Sequence, residues 1–199
     1  MRWCYETNAT GIHYIGEMCR YLVSSPPSKW DRRHKVRFAF GNGLRPEVWS
    51  MFKERFGVKE IVEFYGATEG TSSSYIHSRN SYLLGAVGRQ GLLRRHLLNS
   101  LTIVQHDSST DSPYRDPETG FCLPCRAGEA GELVNPLDPA DIGGRFLGYF
   151  GDSKANEKKI LRDVLRKGDA YFRAGDLMMR DVEGRLWFVD RVGDTFRWK

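Results

Sequence analysis

An aromatic ring, a glycine, a hydroxyl and a carboxylate follow one another in EFYGATEG (63–70). Tyr65 can stack on a base, and Gly66 lets the backbone approach a ligand closely. Thr68 offers a hydroxyl to a phosphate oxygen, whereas the Glu69 carboxylate repels a phosphate unless a divalent cation bridges the two. The set suits a magnesium–nucleotide site. A capped turn with Thr68 as the N-cap explains the same spacing equally well.

Two further segments have side chains suited to a nucleotide. GNGLRPEVW (41–49) has two glycines where a strand meets a helix, which favours close approach to a flat or anionic ligand but is also a common structural turn. In FRAGDLMMRDVEGRLWFVDRVGD (172–194), Asp176 can accept both hydroxyls of a ribose. Arg191 suits a phosphate or a carboxylate. A hairpin with exposed charges is the alternative for this segment.

The first half of the chain must position these residues through strands and helices predicted from periodicity. The predicted elements are a helix over 11–23 capped by Thr10, a strand over 36–40, a helix over 46–56 ending at Gly57 and a strand over 60–64. The order predicts an α/β layer with a parallel sheet. Ligands bind beyond the carboxyl ends of such strands. The glycine loops 41–43 and 66–70 should therefore both lie at that edge of the sheet.

From about residue 100 onward, short strand-like runs separated by turns replace the helical patterns. The predicted strands are 101–104, 131–134, 170–173, 177–181 and 185–190, with a hairpin turn at 182–185 and one helix over 156–167 closed by Gly168. We therefore predict an α/β subdomain over 1–100, which carries the glycine loops 41–43 and 66–70, and a mainly β subdomain over 101–190.

Composition excludes several classes of protein. The 199 residues are 40% hydrophobic and 13% aromatic, which supports a folded core rather than a disordered chain. No apolar run predicts a membrane-spanning helix, and the N-terminus does not resemble a signal peptide. The net charge is +5, and the densest basic cluster is KWDRRHKVR (29–37). We interpret this cluster as a solvated connection, with a membrane-surface contact as the alternative. Since no other segment qualifies, no nucleic-acid partner is expected.

Cysteine usage and catalytic signatures add little chemistry. Cys122 and Cys125 form a CxxC, but no second pair at zinc spacing follows, so we interpret the pair as structural. Four cysteines without a signal peptide indicate a reducing, intracellular compartment. The sequence contains no nucleophile elbow, no HExxH and no P-loop.

Four segments in order resemble the adenylate-forming ligases. They are YIGEMCRYL, GNGLRPEVW, FGVKEIVEFYGATEG and FRAGDLMMRDVEGRLWFVDRVGDTFRWK, and they are more narrowly similar to the fatty acid transport protein and very long-chain acyl-CoA synthetase family. The likeness covers nearly the whole chain and is weakest over 89–120. It implies part of a large α/β domain, namely a parallel sheet layer with helices followed by a small, mainly β, barrel-like subdomain. Residues 191–199 would be the hinge and the truncated start of the C-terminal small domain.

The resemblance implies a two-step reaction that uses ATP, Mg²⁺ and coenzyme A. A fatty acid carboxylate attacks the α-phosphate of ATP, and the coenzyme A thiol then displaces AMP. The implied roles are Gly41, Asn42 and Gly43 along the adenine and acyl side, Tyr65 and Gly66 at adenine, Thr68 at phosphate, Glu69 at Mg²⁺, Asp176 at the ribose hydroxyls, and Arg191 at ribose or phosphate. Thr68, Glu69 and Arg191 would be the catalytic residues.

The sequence also departs from the family pattern. The family's phosphate loop and C-terminal lysine are not among these residues, Lys199 comes too early to be that lysine, and Ala174 stands where relatives usually have Thr. We therefore expect a fragment that is inactive alone, and a non-catalytic nucleotide- or lipid-binding remnant of the same fold is the alternative. The family is usually membrane-associated, at the endoplasmic reticulum, peroxisome or plasma membrane, and we identify no anchor in this chain.

Overall fold

The computed structural model describes two compact units. The described residues are 1–67, 69, 73–91, 93, 97 and 101–193. The first unit comprises Met1–Tyr65 and Ser74–Arg89, and the second comprises Gly66–Ser73 and Gln90–Lys199. The predicted hinge therefore lies largely outside the described residues, which end at 193.

The first unit is built on a sheet with the order β1-β2-β3-β4. Its elements are α1 (Arg2–Glu6), β1 (Gly11–Ile15), α2 (Gly16–Ser24), β2 (Phe38–Asn42), α3 (Pro46–Phe56), β3 (Glu60–Gly66), β4 (Ser73–Ser78), a 3-10 helix (Ser81–Leu83) and β5 (Gly88–Arg89). Strands β1, β2 and β3 run parallel, with Gly11 opposite Phe38 and Gly41 opposite Glu63. This arrangement confirms the predicted α/β layer with a parallel sheet.

The helix α3 and the two strands beside it in the chain agree with the sequence pattern. Pro46 begins the helix, and Gly57 ends it with a φ of +69°, a left-handed conformation that favours glycine. Buried residues of α2, α3, the strands and the loop after α3 contribute to the core of this unit: Tyr14, Cys19, Ala39, Trp49, Phe52, Phe56, Val58 and Ile61.

The predicted helix over 11–23 is wrong in its first five residues, which form the edge strand β1. The helix α2 begins only at Gly16, so Thr10 is not its N-cap. Apolar residues at 12 and 15 suit a helix. In the structure, residues 11–15 are extended instead, and their backbone pairs with β2. Tertiary pairing thus overrides a short helical period.

The second unit is built on an antiparallel sheet. Its elements are β6 (Thr102–Val104), β7 (His106–Asp107), β8 (Ser112–Pro113), β9 (Ala130–Leu137), a 3-10 helix (Ile142–Gly144), α4 (Ser153–Lys159), β10 (Ile160–Arg162), β11 (Ala170–Arg180) and β12 (Arg185–Arg191). Strands β12, β11, β9 and β6 lie in that order, and β10 also pairs with β11. Within the described part of the chain the sheet does not close, so the barrel-like expectation is corrected to an open sheet.

Two predictions in this unit need correction. The runs 170–173 and 177–181 are one irregular strand, β11, rather than two. The predicted helix over 156–167 is the shorter α4, because residues 160–162 pair with 170–172 as β10. These three residues can pair with β11 only in an extended conformation, so the helix ends before them. Gly168 lies in the turn that follows, with a φ of +83°.

No helix among the described residues has the length and hydropathy needed to cross a membrane.

Candidate nucleotide site

The pairing of β11 with β9 is irregular just before Asp176. Strand β11 pairs with β9 up to Arg173 and again from Leu177, so the residues between them leave the ladder. Gly175 has a φ of +78°, and its carbonyl accepts a hydrogen bond from Val192 N at 2.9 Å. Bulges of this kind re-aim a side chain and are frequent beside active sites. The burial pattern keeps its period of two here, and Asp176 lies on the same buried face as Ala174 and Met178.

Asp176 and Arg191 form an ion pair across β11 and β12. They are register partners, and Arg191 Nε lies 3.2 Å from Asp176 Oδ1. The aspartate side chain is 9% exposed and the arginine side chain 61%. A carboxylate has about four acceptor sites, so Asp176 can accept hydroxyl groups in addition to this ion pair. The exposed guanidinium has donors with which it can bind a phosphate.

Glu69 is hydrogen-bonded to a tyrosine that the sequence analysis did not single out. The hydroxyl of Tyr149 donates to Glu69 Oε1 at 2.5 Å. This hydrogen bond, with burial as a lesser cause, raises the pKa of Tyr149 to about 12, while the nearby Arg191 charge opposes the rise. Glu69, Tyr149 and Arg191 therefore lie close together in the second unit, and Arg191 links them to Asp176.

The position of Tyr149 is determined by α4 and by the preceding turn. Asn156 Oδ1 accepts from Tyr149 N at 2.5 Å, and Asn156 Nδ2 donates to Tyr149 O at 3.2 Å. The Phe146 ring contacts two other rings. Its centroid lies 6.2 Å from that of Tyr149, in an edge-on contact, and 5.0 Å from that of Phe172, in a tilted contact. The phenol is thus presented to Glu69 from a fixed backbone. The only signal in the sequence is its place between the glycines at 148 and 151.

The glycine turn 41–43 belongs to the first unit, and packing accounts for much of it. A Cβ on Gly41 would lie 2.1 Å from Tyr14 O, which no real side chain tolerates. Gly43 has a φ of +73°, and Asn42 is exposed at the end of β2. The structural interpretation of the turn therefore explains Gly41 and Gly43, and their role beside adenine stays a prediction.

A buried glutamate, Glu63, supports this turn. It is 1% exposed, accepts a short hydrogen bond from the Tyr14 hydroxyl, and accepts another from Leu44 N at 3.1 Å. Burial raises the pKa of Glu63 to about 7, while the hydrogen bonds from Tyr14, Leu44 and Gly43 oppose the rise. The strand period of two places Glu63 on the same face as buried Ile61, a signal that could have identified it.

The remaining predicted residues lie around the end of β3. Tyr65 is buried within β3 at 9% exposure, and Gly66 is the exposed last residue of that strand. Thr68 lies outside the described residues.

Glu69 fits a magnesium ion that arrives with a nucleotide. Mg²⁺ keeps several waters and is usually bound by one or two carboxylates together with substrate phosphates. Across the described ranges, no three His, Cys, Asp or Glu side chains cluster as a metal site. A single carboxylate in the same unit as the exposed Arg191 guanidinium is compatible with the nucleotide-borne mode. Cys122, the first cysteine of the CxxC, packs in a core cluster with residues such as Val104 and Tyr171, which agrees with its structural interpretation.

A family model described as AMP-binding enzyme matches residues 1–134. Long-chain fatty acid transport protein 3 of Homo sapiens is 44% identical over 98% of this chain and 28% of its own length. Very long-chain fatty acid transport protein of Saccharomyces cerevisiae is 42% identical over 98% of this chain and 29% of its own length.

A relative with a different name is equally similar. Isopenicillin N epimerase component 1 of Hapsidospora chrysogena is 44% identical over 98% of this chain and 32% of its own length. The chain thus spans about a third or less of the length of these three curated relatives.

Solved structures share the fold at low sequence identity. A benzoate CoA ligase from Burkholderia xenovorans LB400 gives a TM-score of 0.65 at 18% identity and covers 99% of this chain and 34% of its own. The Vibrio cholerae adenylation domain AlmE, in complex with glycyl-adenosine-5'-phosphate, gives a TM-score of 0.60 at 17% identity. The match covers 96% of this chain and 32% of the AlmE chain. This likeness confirms the predicted fold class, a part of the large domain of adenylate-forming enzymes.

Proposed function

Because this chain belongs to the family of AMP-binding enzymes, we propose that it forms part of the adenylation site of a long-chain or very long-chain fatty acid–CoA ligase. The carboxylate of the fatty acid attacks the α-phosphate of ATP, and pyrophosphate leaves. The coenzyme A thiol then attacks the acyl carbonyl, and AMP leaves. The observation that carries the proposal is the grouping of Glu69, Tyr149, Arg191 and Asp176 in one unit.

Each residue of this group has a role that matches its chemistry. The Asp176 carboxylate accepts the ribose hydroxyls, and the Arg191 guanidinium contacts ribose or phosphate. Glu69 holds the magnesium ion, and Tyr149 orients the Glu69 carboxylate. When bound, magnesium neutralises charge on the phosphates. By the same resemblance, Gly41, Asn42 and Gly43 would line the adenine and acyl side, and Tyr65 would pack on adenine.

Nucleotide binding by the 199-residue chain tests the proposal. We expect Asp176→Asn to weaken AMP binding, measured by isothermal titration calorimetry, by at least about tenfold, because a charge-assisted hydrogen bond contributes about 1.5–3 kcal/mol. Glu183→Gln, in the turn at the other end of the β11–β12 hairpin, removes the same charge and should leave affinity unchanged. Equal affinities for Asp176→Asn and the wild type, or no AMP binding by the wild type at millimolar concentrations, would contradict the proposal.

We expect turnover to need groups other than those described above. Stabilising the charge of a phosphoryl transition state needs donors around all its oxygens, and the resemblance assigns some of them to a phosphate loop and a lysine that these 199 residues do not contain. Incubated with a long-chain fatty acid, ATP, Mg²⁺ and coenzyme A, the chain should release no AMP above a no-enzyme control. Robust AMP release would show that the chain is active by itself.

The relatives' names refer to fatty acid transport, and we propose that the protein works at a membrane, that of the endoplasmic reticulum, the peroxisome or the cell surface.

A further inference from the structure

The basic cluster over 29–37 takes no part in the proposed adenylation site. It contains five cationic side chains, Lys29, Arg32, Arg33, Lys35 and Arg37, and one acid, Asp31. Asp31 is already paired, because Arg55 Nε lies 2.9 Å from its Oδ2. Lys29, Arg33 and Lys35 are exposed. The segment therefore presents a strong local excess of positive charge to solvent.

Hydrogen bonds tie the segment and the residues before it to helix α3. Arg55 donates to the carbonyls of Val23, Ser25 and Pro26 just before the cluster. Arg32 donates to two carbonyls at the C-terminal end of α3, where the helix leaves them unpaired. Its cations are consequently presented from a fixed backbone.

An aromatic pair lies among these cations. The rings of Tyr5 and Trp30 have centroids 4.8 Å apart, and Tyr5 is 43% exposed. Lys29 Nζ lies 5.0 Å and Arg33 Cζ 5.9 Å from the centre of the Trp30 ring. Tryptophan and tyrosine with neighbouring Lys and Arg are the side chains enriched at the headgroup level of membranes.

We propose that Tyr5, Lys29, Trp30, Arg33 and Lys35 form a basic–aromatic patch that docks on an anionic phospholipid surface. Charge complementarity favours this partner, since clustered Lys and Arg are attracted to anionic headgroups. A nucleic acid is favoured less, because its binding surfaces carry successive stacking rings along a charged groove, whereas here one Trp–Tyr pair stands among the cations. The patch goes beyond the proposed ligase function, because it assigns the membrane contact to a surface of this chain.

Vesicle binding by the full chain tests the patch. Lys29→Gln/Arg33→Gln should weaken partition onto phosphatidylserine-containing vesicles about 30-fold, since each cation near such a surface contributes about 1 kcal/mol. The matched control is Lys154→Gln/Lys158→Gln on α4, which removes the same charge from exposed positions of the second unit. Co-sedimentation measures both, and circular dichroism checks that each variant is folded.

Every result of this experiment decides the question. Binding to phosphatidylserine vesicles, lost in the patch variant and kept in the control, supports the patch. No binding by the wild type, or equal losses in both variants, overturns it. Tighter binding of a generic RNA, lost in the same patch variant, would assign the surface to nucleic acid and also overturn the proposal. The assay contains no nucleotide, so its failure and failure of the ligase proposal are distinguishable.

Discussion

Glu132→Ala is expected to lower the free energy of unfolding by about 3–5 kcal/mol. Glu132 is fully buried on β9, and Arg173 binds it through Nε–Oε1 at 2.5 Å and through Nη2–Oε2 at 3.0 Å. His106 Nδ1 lies 3.3 Å from Oε2. Removing the carboxylate leaves the Arg173 guanidinium, whose side chain is only 22% exposed, without its counter-charge.

Urea unfolding of wild type and variants measures this loss. Lys167→Ala breaks a surface pair with Asp163 whose side chains are 89% and 41% exposed, and it should change stability by less than about 0.5 kcal/mol. The double change Glu132→Leu with Arg173→Met removes both charges and should recover most of the loss. A loss for Glu132→Ala no larger than that for Lys167→Ala would show that the buried pair does not stabilise the fold.

Glu63→Gln is expected to stabilise the chain by about 3 kcal/mol above pH 7 and to change little near pH 4.5. Burial raises the pKa of Glu63 from 4.5 to about 7, and each pKa unit corresponds to about 1.4 kcal/mol. Because the folded pKa is raised, the stabilisation from this carboxyl is fully present below about pH 4.5 and is lost as the pH rises through about 7. Gln mimics the neutral carboxyl and does not carry this dependence.

The groups that face Glu63 support this direction. Tyr14 and Leu44 N donate to it, and the charge of Glu63 contributes to a raised pKa of the buried Cys19 thiol. The control is Glu60→Gln on the same strand, where His77 and Arg79 lower the pKa, so its dependence on pH should have the opposite sign. Urea unfolding at several pH values measures both variants. An effect of Glu63→Gln that is equal at pH 4.5 and pH 8 would contradict the expected dependence.

Local sequence signals predicted the elements that begin and end at residues with a strong conformational preference. Proline at the start of α3 and glycine just after it mark the helix without help from the rest of the fold. The glycine- and acid-containing motifs likewise predicted the family, which the family model confirms. Two of the wrong predictions, the helix over 11–15 and the helix over 160–162, concern segments whose conformation depends on pairing with another strand.

Contacts between residues far apart in the chain required the tertiary structure. Tyr149 and Glu69 are 80 positions apart, and Arg173 and Glu132 are 41 apart. Nothing in the sequence next to Tyr149 or Arg173 indicates which carboxylate it will bind. Pairing of β11 with β9 brings Arg173 to Glu132, and the hydrogen bonds of Asn156 hold Tyr149 where it meets Glu69.

The sequence by itself determined the family, the parallel α/β layer and the residue types that suit a nucleotide, because these depend on short motifs and on local backbone preferences. Only the tertiary structure decided which carboxylates are buried, which are paired, and that a tyrosine holds Glu69, because burial and pairing arise when strands distant in the chain come together and exclude water.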